Sequence, residues 1–79
     1  MKKTAKFLLE LIVDHPEKVK ISDKEENGSL ILTLKVSLED IGKVIGKNGR
    51  TIKALTTLIR IKAIKEGKRV SLEVEENKD

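Results

Sequence analysis

The chain contains no cysteine, tryptophan or tyrosine, one histidine (His15), one proline (Pro16) and one aromatic residue, Phe7. Without cysteine there is no disulfide and no thiolate metal site, which suits a reducing compartment. One histidine with scattered acids supplies neither a set of metal ligands nor a nucleophile with its base, so the sequence carries no catalytic equipment and no cofactor or metal is expected. His15, beside Pro16, reads as an exposed helix-end residue. Glu73, Glu75 and Glu76 cluster, but as solvated charge on an edge strand and tail. The segment Gly42-x-x-x-Gly46-Lys47-Asn48 lacks the four-residue spacing and the Ser/Thr of a phosphate-binding P-loop. The scarcity of aromatic rings argues against modules that stack bases on them. No stretch approaches the ~20 apolar residues of a membrane span. The basic start, Met1-Lys2-Lys3-Thr4, is not followed by a clean apolar run or a cleavage site, so it does not read as a signal peptide. A cytoplasmic location is the expectation.

The chain has charge, and it is unevenly placed. The net charge is +4 over 79 residues. From Lys43 to Arg69 there are nine cations against one acid, Glu66, a net of +8. The remainder holds eight cations against twelve acids, a net of −4. This asymmetry points one part of the molecule at a polyanion. The length allows one domain over residues 1–79, with a core over about 4–75 and a polar tail at 76–79.

Hydrophobic periodicity predicts a helix over 4–14, with Phe7, Leu8, Leu11 and Ile12 on its apolar face and Pro16 ending it. A weak strand follows over 18–24. Asn27-Gly28 predicts a tight hairpin turn into a clearer strand, Ser29 to Val36, with Leu30, Leu32, Leu34 and Val36 on one face and Ile31, Thr33 and Lys35 on the other. Ser37 and Asp40 form a variant of the capping box at the start of a short helix, 38–45. Gly42 lies inside that helix at a cost of ~1 kcal/mol against alanine. This implies close packing or close approach of a ligand. A long helix over 50–65 has Ile52, Ala54, Leu55, Leu58, Ile59, Ile61 and Ala63 on its apolar arc and Arg50, Lys53, Thr56, Thr57 and Arg60 opposite. Ile64 falls among the polar residues, where it could serve a subunit contact. Gly67 ends the helix, and Val70, Leu72 and Val74 alternate in a third strand. The order is α-β-β-α-α-β, an α+β fold with a three-stranded sheet covered on one face by three helices.

Between the second and third helices lies Ile45-Gly46-Lys47-Asn48-Gly49-Arg50-Thr51-Ile52. Two glycines three apart let the backbone turn sharply and approach a ligand closely. The following helix N-terminus favours an anion, and Lys47 and Arg50 add charge at the same place.

This run, with Val44 before it, resembles the KH-domain signature, an apolar pair followed by G-x-x-G-x-x-I between two helices. The element order resembles the type II, bacterial, arrangement of the KH fold. Ile41 to Arg50 and the later Ala63…Lys65-Glu66-Gly67-Lys68-Arg69-Val70 look like the small stand-alone bacterial KH proteins of the KhpA type. The resemblance covers roughly residues 4–75. It implies a clamp on single-stranded RNA, with Gly46, Lys47, Asn48 and Gly49 against phosphate and Lys43, Arg50 and Lys53 beside the backbone path. Gly42 would lie close to the ligand. Ile41, Val44, and Ile31 or Leu32 could line a groove for bases, while Ile45 and Ile52 hold the loop from the core. The Asp23–Ser29 hairpin would stand as the groove's other wall, and its acids would repel phosphate. The family further implies a homodimer, or pairing with a second KH protein of the Jag (KhpB) type. It implies RNA-chaperone or regulatory activity as well, with links to cell-wall homeostasis and cell length. The alternative reading is a KH-fold dimerisation or adaptor module with little direct RNA binding.

Overall fold

The computed structural model describes all residues, 1–79. The elements are α1 (Lys2–Glu10), β1 (Lys20–Glu26), β2 (Ser29–Val36), α2 (Leu38–Ile45), α3 (Arg50–Lys65) and β3 (Arg69–Glu76), with short 3₁₀ turns at Pro16–Lys18 and Lys47–Gly49. The central strand is β2, antiparallel to β1 and parallel to β3. This is the expected α-β-β-α-α-β order with a mixed three-stranded sheet.

β2 shows why. Its alternation is carried through in full: Leu30, Leu32, Leu34 and Val36 are buried, and Ser29, Ile31, Thr33 and Lys35 are half-exposed on the other face. Each buried aliphatic side chain contributes roughly 1.5–3 kcal/mol. A one-residue slip would carry all four to the polar side, so the register is strongly set. Asn27 and Gly28 have φ of 50° and 80°, the positive pair that a type I′ hairpin needs. The parallel β3 then places Val70, Leu72 and Val74 beside Leu30, Leu32 and Leu34.

The helices that cover this face differ from the predicted pattern in detail. α1 ends at Glu10, followed by a turn in which the Ile12 and Val13 amides both donate to the Leu9 carbonyl, at 2.9 and 3.0 Å. Its core face is Ala5, Leu9 and, after the turn, Val13. Phe7 and Leu11 are instead 62% and 70% exposed. Two overlapping apolar arcs exist on this helix. The one carrying small Ala5 faces inward, because it lets the helix lie close to the sheet. In α3 the buried strip is Leu55, Ile59 and Ala63, an i, i+4, i+8 line with Ile52 half-buried. Leu58 and Ile61 stand outside it, 53% and 52% exposed. β1 starts two residues later than the pattern suggests, because Pro16–Lys18 takes a 3₁₀ turn that seats Val19 in the core. The end of the chain is tied down. The Asn77 amide donates to the Val36 carbonyl at 2.7 Å, its side-chain Nδ2 donates to Lys18 at 2.6 Å, and Asp79 meets Lys18 and Lys20.

One buried polar group joins these parts. Asp40 has no exposed surface. It does not reach back to cap its own helix. One carboxylate oxygen accepts the Asp14 N–H at 3.0 Å; the other accepts the His15 N–H at 2.9 Å and the Ser37 hydroxyl at 3.1 Å. The first turn of α2 is thereby fastened to the chain leaving α1. Burial pushes the Asp40 carboxyl up, but these donors, with some help from the His15 charge, more than offset it and hold it below the ordinary 3.8. His15 is half-buried, and its Nε2 lies 3.0 Å from Glu39. That hydrogen bond, opposed by desolvation and aided by the charges of Asp40, Glu39 and Glu17, holds the imidazole above its ordinary 6.5.

The two shifts have opposite consequences. The Asp40 contribution is present above pH 3.8 and is lost as pH falls through its lowered pKa. The His15 contribution is complete below pH 6.5 and is lost as pH rises through its raised pKa. Thermal melts across pH are expected to show both limbs. His15→Gln removes the decline on the neutral side. Asp40→Asn removes the acid limb and lowers Tm at neutral pH by on the order of 10 °C, a difference that shrinks as pH falls through the Asp40 pKa. An Asp40→Asn protein that melts like wild type at pH 7 would show that the staple carries no stability.

Candidate nucleic-acid interface

The loop between α2 and α3 is held by a backbone that side chains cannot adopt. Gly46 has φ 75° and ψ 173°, a region open essentially to glycine alone. A Cβ there would meet the Thr51 side chain, with its Cβ at 2.7 Å, and the Thr51 amide nitrogen at 2.8 Å. Asn48 (φ 57°, ψ 27°) and Gly49 (φ 73°, ψ 16°) are both left-handed, which asparagine tolerates better than other side chains. The turn closes through the Gly46 N–H on Gly42 at 2.8 Å and the Gly49 N–H on Gly46 at 3.1 Å. The Arg50 N–H donates to Lys47. The amides of Lys47 and Asn48 have no acceptor in the protein and are open to a ligand.

Around this turn the expected residues converge. Lys47, Asn48, Arg50 and Lys53 are exposed, and Gly46 and Gly49 are half-buried. Lys47, Arg50 and Lys53 take part in no ion pair. Lys43 differs, because it is engaged by Asp14 from the chain after α1. That hydrogen bond, opposed by desolvation and aided by the charges of Asp14 and Asp40, raises its pKa. Its ammonium is less available to a ligand than those of the other three cations.

Gly42 is exposed in α2, and a Cβ on it would meet nothing within 4 Å. Tight packing within the protein therefore does not explain this glycine. At 100° per residue it shares a face of α2 with Leu38, Ile41 and Ile45. Leu38 is 65% exposed, Ile45 39% exposed and Ile41 half-buried. α2 also packs beside β3, where Leu72 and Val74 remain half-buried. The result is an apolar strip that runs up to the glycine loop.

The strip corrects several expectations. Val44 and Leu32 are fully buried and line no surface. Ile31 points to the sheet face away from the helices. Ile45 is a surface residue of the strip rather than a core anchor for the loop, a role left to half-buried Ile52. Leu38, Leu72 and Val74 carried no signal as surface residues, since alternation marks Leu72 and Val74 as core, whereas on the edge strand β3 they stay only half-covered. The acidic hairpin lies elsewhere: Glu25 pairs with Lys68 at 3.8 Å, beyond the C-terminal end of α3, whereas the glycine loop is at its start.

A positively charged G-x-x-G turn between two helices, on a mixed sheet of this order, defines a type II KH domain. Comparison with known proteins agrees. The family model "KhpA/KhpB, KH domain" matches residues 2–74, and the chain belongs to that family, a non-enzymatic one. It is 46% identical over 74 residues to RNA-binding protein KhpA of Clostridium acetobutylicum, covering 94% of this chain and 99% of the relative. It is 44% identical over 78 residues to RNA-binding protein KhpA of Chlamydia pneumoniae, covering 99% of this chain and all of the relative. No helix is long and apolar enough to cross a membrane.

The two glycines of α2 and the loop are expected to answer oppositely to alanine. Gly46→Ala should cost about 1–3 kcal/mol from backbone strain alone, with the Thr51 clash added. Gly42→Ala should stabilise by up to ~1 kcal/mol, because the helix gains propensity and nothing is displaced. Urea denaturation of the two variants measures both.

Proposed function

We propose that this protein is a single-domain, cytoplasmic binder of single-stranded RNA. Its clamp is made of Gly46, Lys47, Asn48 and Gly49, with Arg50 and Lys53, and secondarily Lys43, beside the backbone path. The observation that carries the reading is the loop itself: two unpartnered amides and three unpaired cations surround a turn that only glycine can make at Gly46. Such a site favours phosphate whatever the base. Bases would lie on the strip of Leu38, Ile41, Ile45, Leu72 and Val74, with Gly42 admitting the ligand close to α2. The relatives' name, RNA-binding protein, supports the ligand class.

The finer roles extend the same reading. A site this small holds few nucleotides, so a second copy or a second KH protein of the KhpB type would raise affinity through avidity. Phe7 on α1, Leu11 in the turn that ends it, and Leu58 and Ile61 on α3 are all more than half exposed, and the Lys62–Thr4 hydrogen bond at 2.9 Å joins the two helices. These side chains supply an apolar surface for self-association, and they are also what an adaptor role would use. Activity as an RNA chaperone or post-transcriptional regulator, and effects on cell-wall homeostasis and cell length, follow from the family resemblance.

Lys47→Asp combined with Asn48→Asp is expected to leave Tm nearly unchanged and to abolish binding of labelled oligoribonucleotides in fluorescence anisotropy. Wild-type affinity in that variant would overturn the clamp. Wild-type affinity should fall with salt at a log–log slope of about −0.7 per neutralised phosphate. Leu11→Asp with Leu58→Asp should shift any dimer to monomer in sedimentation while sparing the loop's contact with short RNA.

A further inference from the structure

A second basic site lies at the far end of α3. A cleft of about 370 Å³ opens there between the helix and the start of β3, lined by Arg60, Ile64, Lys68, Arg69 and Val70. Its floor is apolar and its walls are cationic. Arg60 and Arg69 take part in no ion pair, and Lys68 has one weak acidic partner, Glu25 of the hairpin, at 3.8 Å. Glu66, two residues before Lys68, is exposed. Ile64, 68% exposed, sits among these charges and not in the core.

The cleft is connected to the glycine loop. Lys53, Thr57, Arg60 and Ile64 follow the spacing i, i+4, i+7, i+11, which is one straight line along a helix. All four are exposed, and α3 carries no acid from Arg50 to Lys65. Arg60 is ten residues beyond Arg50, about 15 Å along the axis. From the clamp to the cleft, α3 itself therefore presents no negative charge.

We infer that this cleft is a second contact for the same RNA strand, taking phosphates a few nucleotides beyond the clamp on Arg60 and Arg69 and apolar base or ribose surface on Ile64 and Val70. The inference rests on the RNA-binding reading of the loop. Two guanidinium groups suit it, because each can hold phosphate through paired N–H bonds. Glu25, holding Lys68 from one side, competes with RNA for the cleft.

Oligoribonucleotide length tests this. Random-sequence pools about five and about twelve nucleotides long, titrated by anisotropy, separate the two contacts. Arg60→Ala with Arg69→Ala, at exposed positions, is expected to keep the wild-type affinity for the short pool. It should lose about tenfold for the long pool, with a salt slope shallower by about 1.4, two phosphates' worth. Glu25→Gln should tighten the long pool alone, by about twofold. If the double-arginine variant binds both pools as wild type does, the cleft does not hold RNA. If that variant instead loses self-association with its RNA affinities unchanged, the cleft is a protein contact and the inference falls. If wild type binds neither pool, the clamp reading itself has failed.

Discussion

The carboxylate of Asp40 is the interaction on which the arrangement of this molecule turns. It is the one buried polar side chain, and it accepts three hydrogen bonds from residues far apart in the chain or just before α2. A buried carboxylate without donors would be strongly unfavourable, so once Asp40 is inside, the Asp14 and His15 amides must come to it. That requirement fixes where the chain leaving α1 crosses the first turn of α2. It also brings His15 to Glu39 and Asp14 to Lys43. The orientation of α2 sets where its C-terminal end delivers the glycine loop.

From that anchor the functional end follows by steric necessity. The backbone leaves α2 through a conformation that places Gly46 against Thr51 with no room for a side chain, then passes two left-handed residues before α3 begins. The path exposes amides that the fold does not use, at a place where three cations lack partners. Unused amides and unpaired cations thus meet at a turn whose shape the backbone enforces, beside an exposed apolar strip.

Charge is sorted along the molecule with similar economy. The stretch from Lys43 to Arg69 carries nine of the seventeen cations and one acid. Two of the cations are met by acids from outside it, Lys43 by Asp14 and Lys68 by Glu25. These two pairs, near the two ends of the basic stretch, blunt its edges, while the loop and the outer line of α3 remain uncompensated. Charge of this kind, left without acidic partners, favours a polyanion.

Much of this was legible in the residues. β2, α2 and α3 lie at the predicted boundaries, because β2 alternates without a break, Ser37 and Gly46 bracket α2, and Gly49 and Gly67 bracket α3. The hairpin was written in Asn27-Gly28, and the G-x-x-G turn and its charges in eight consecutive residues. Sequence by itself determined these features, since each depends on local backbone preference or on a period within one element. Tertiary structure alone decided the rest. α1 had two apolar arcs, and packing selected Ala5 and Leu9 over Phe7 and Leu11. α3 met the sheet along one line, which left Leu58 and Ile61 outside. Asp40 read as a local cap and became a long-range staple. Ile45 had the pattern of a core residue and became surface, and Leu72 and Val74 on the edge strand β3 pack against the core but stay only half-covered. Periodicity identifies which side chains share a face, whereas only the packing of one element on another determines whether that face is covered.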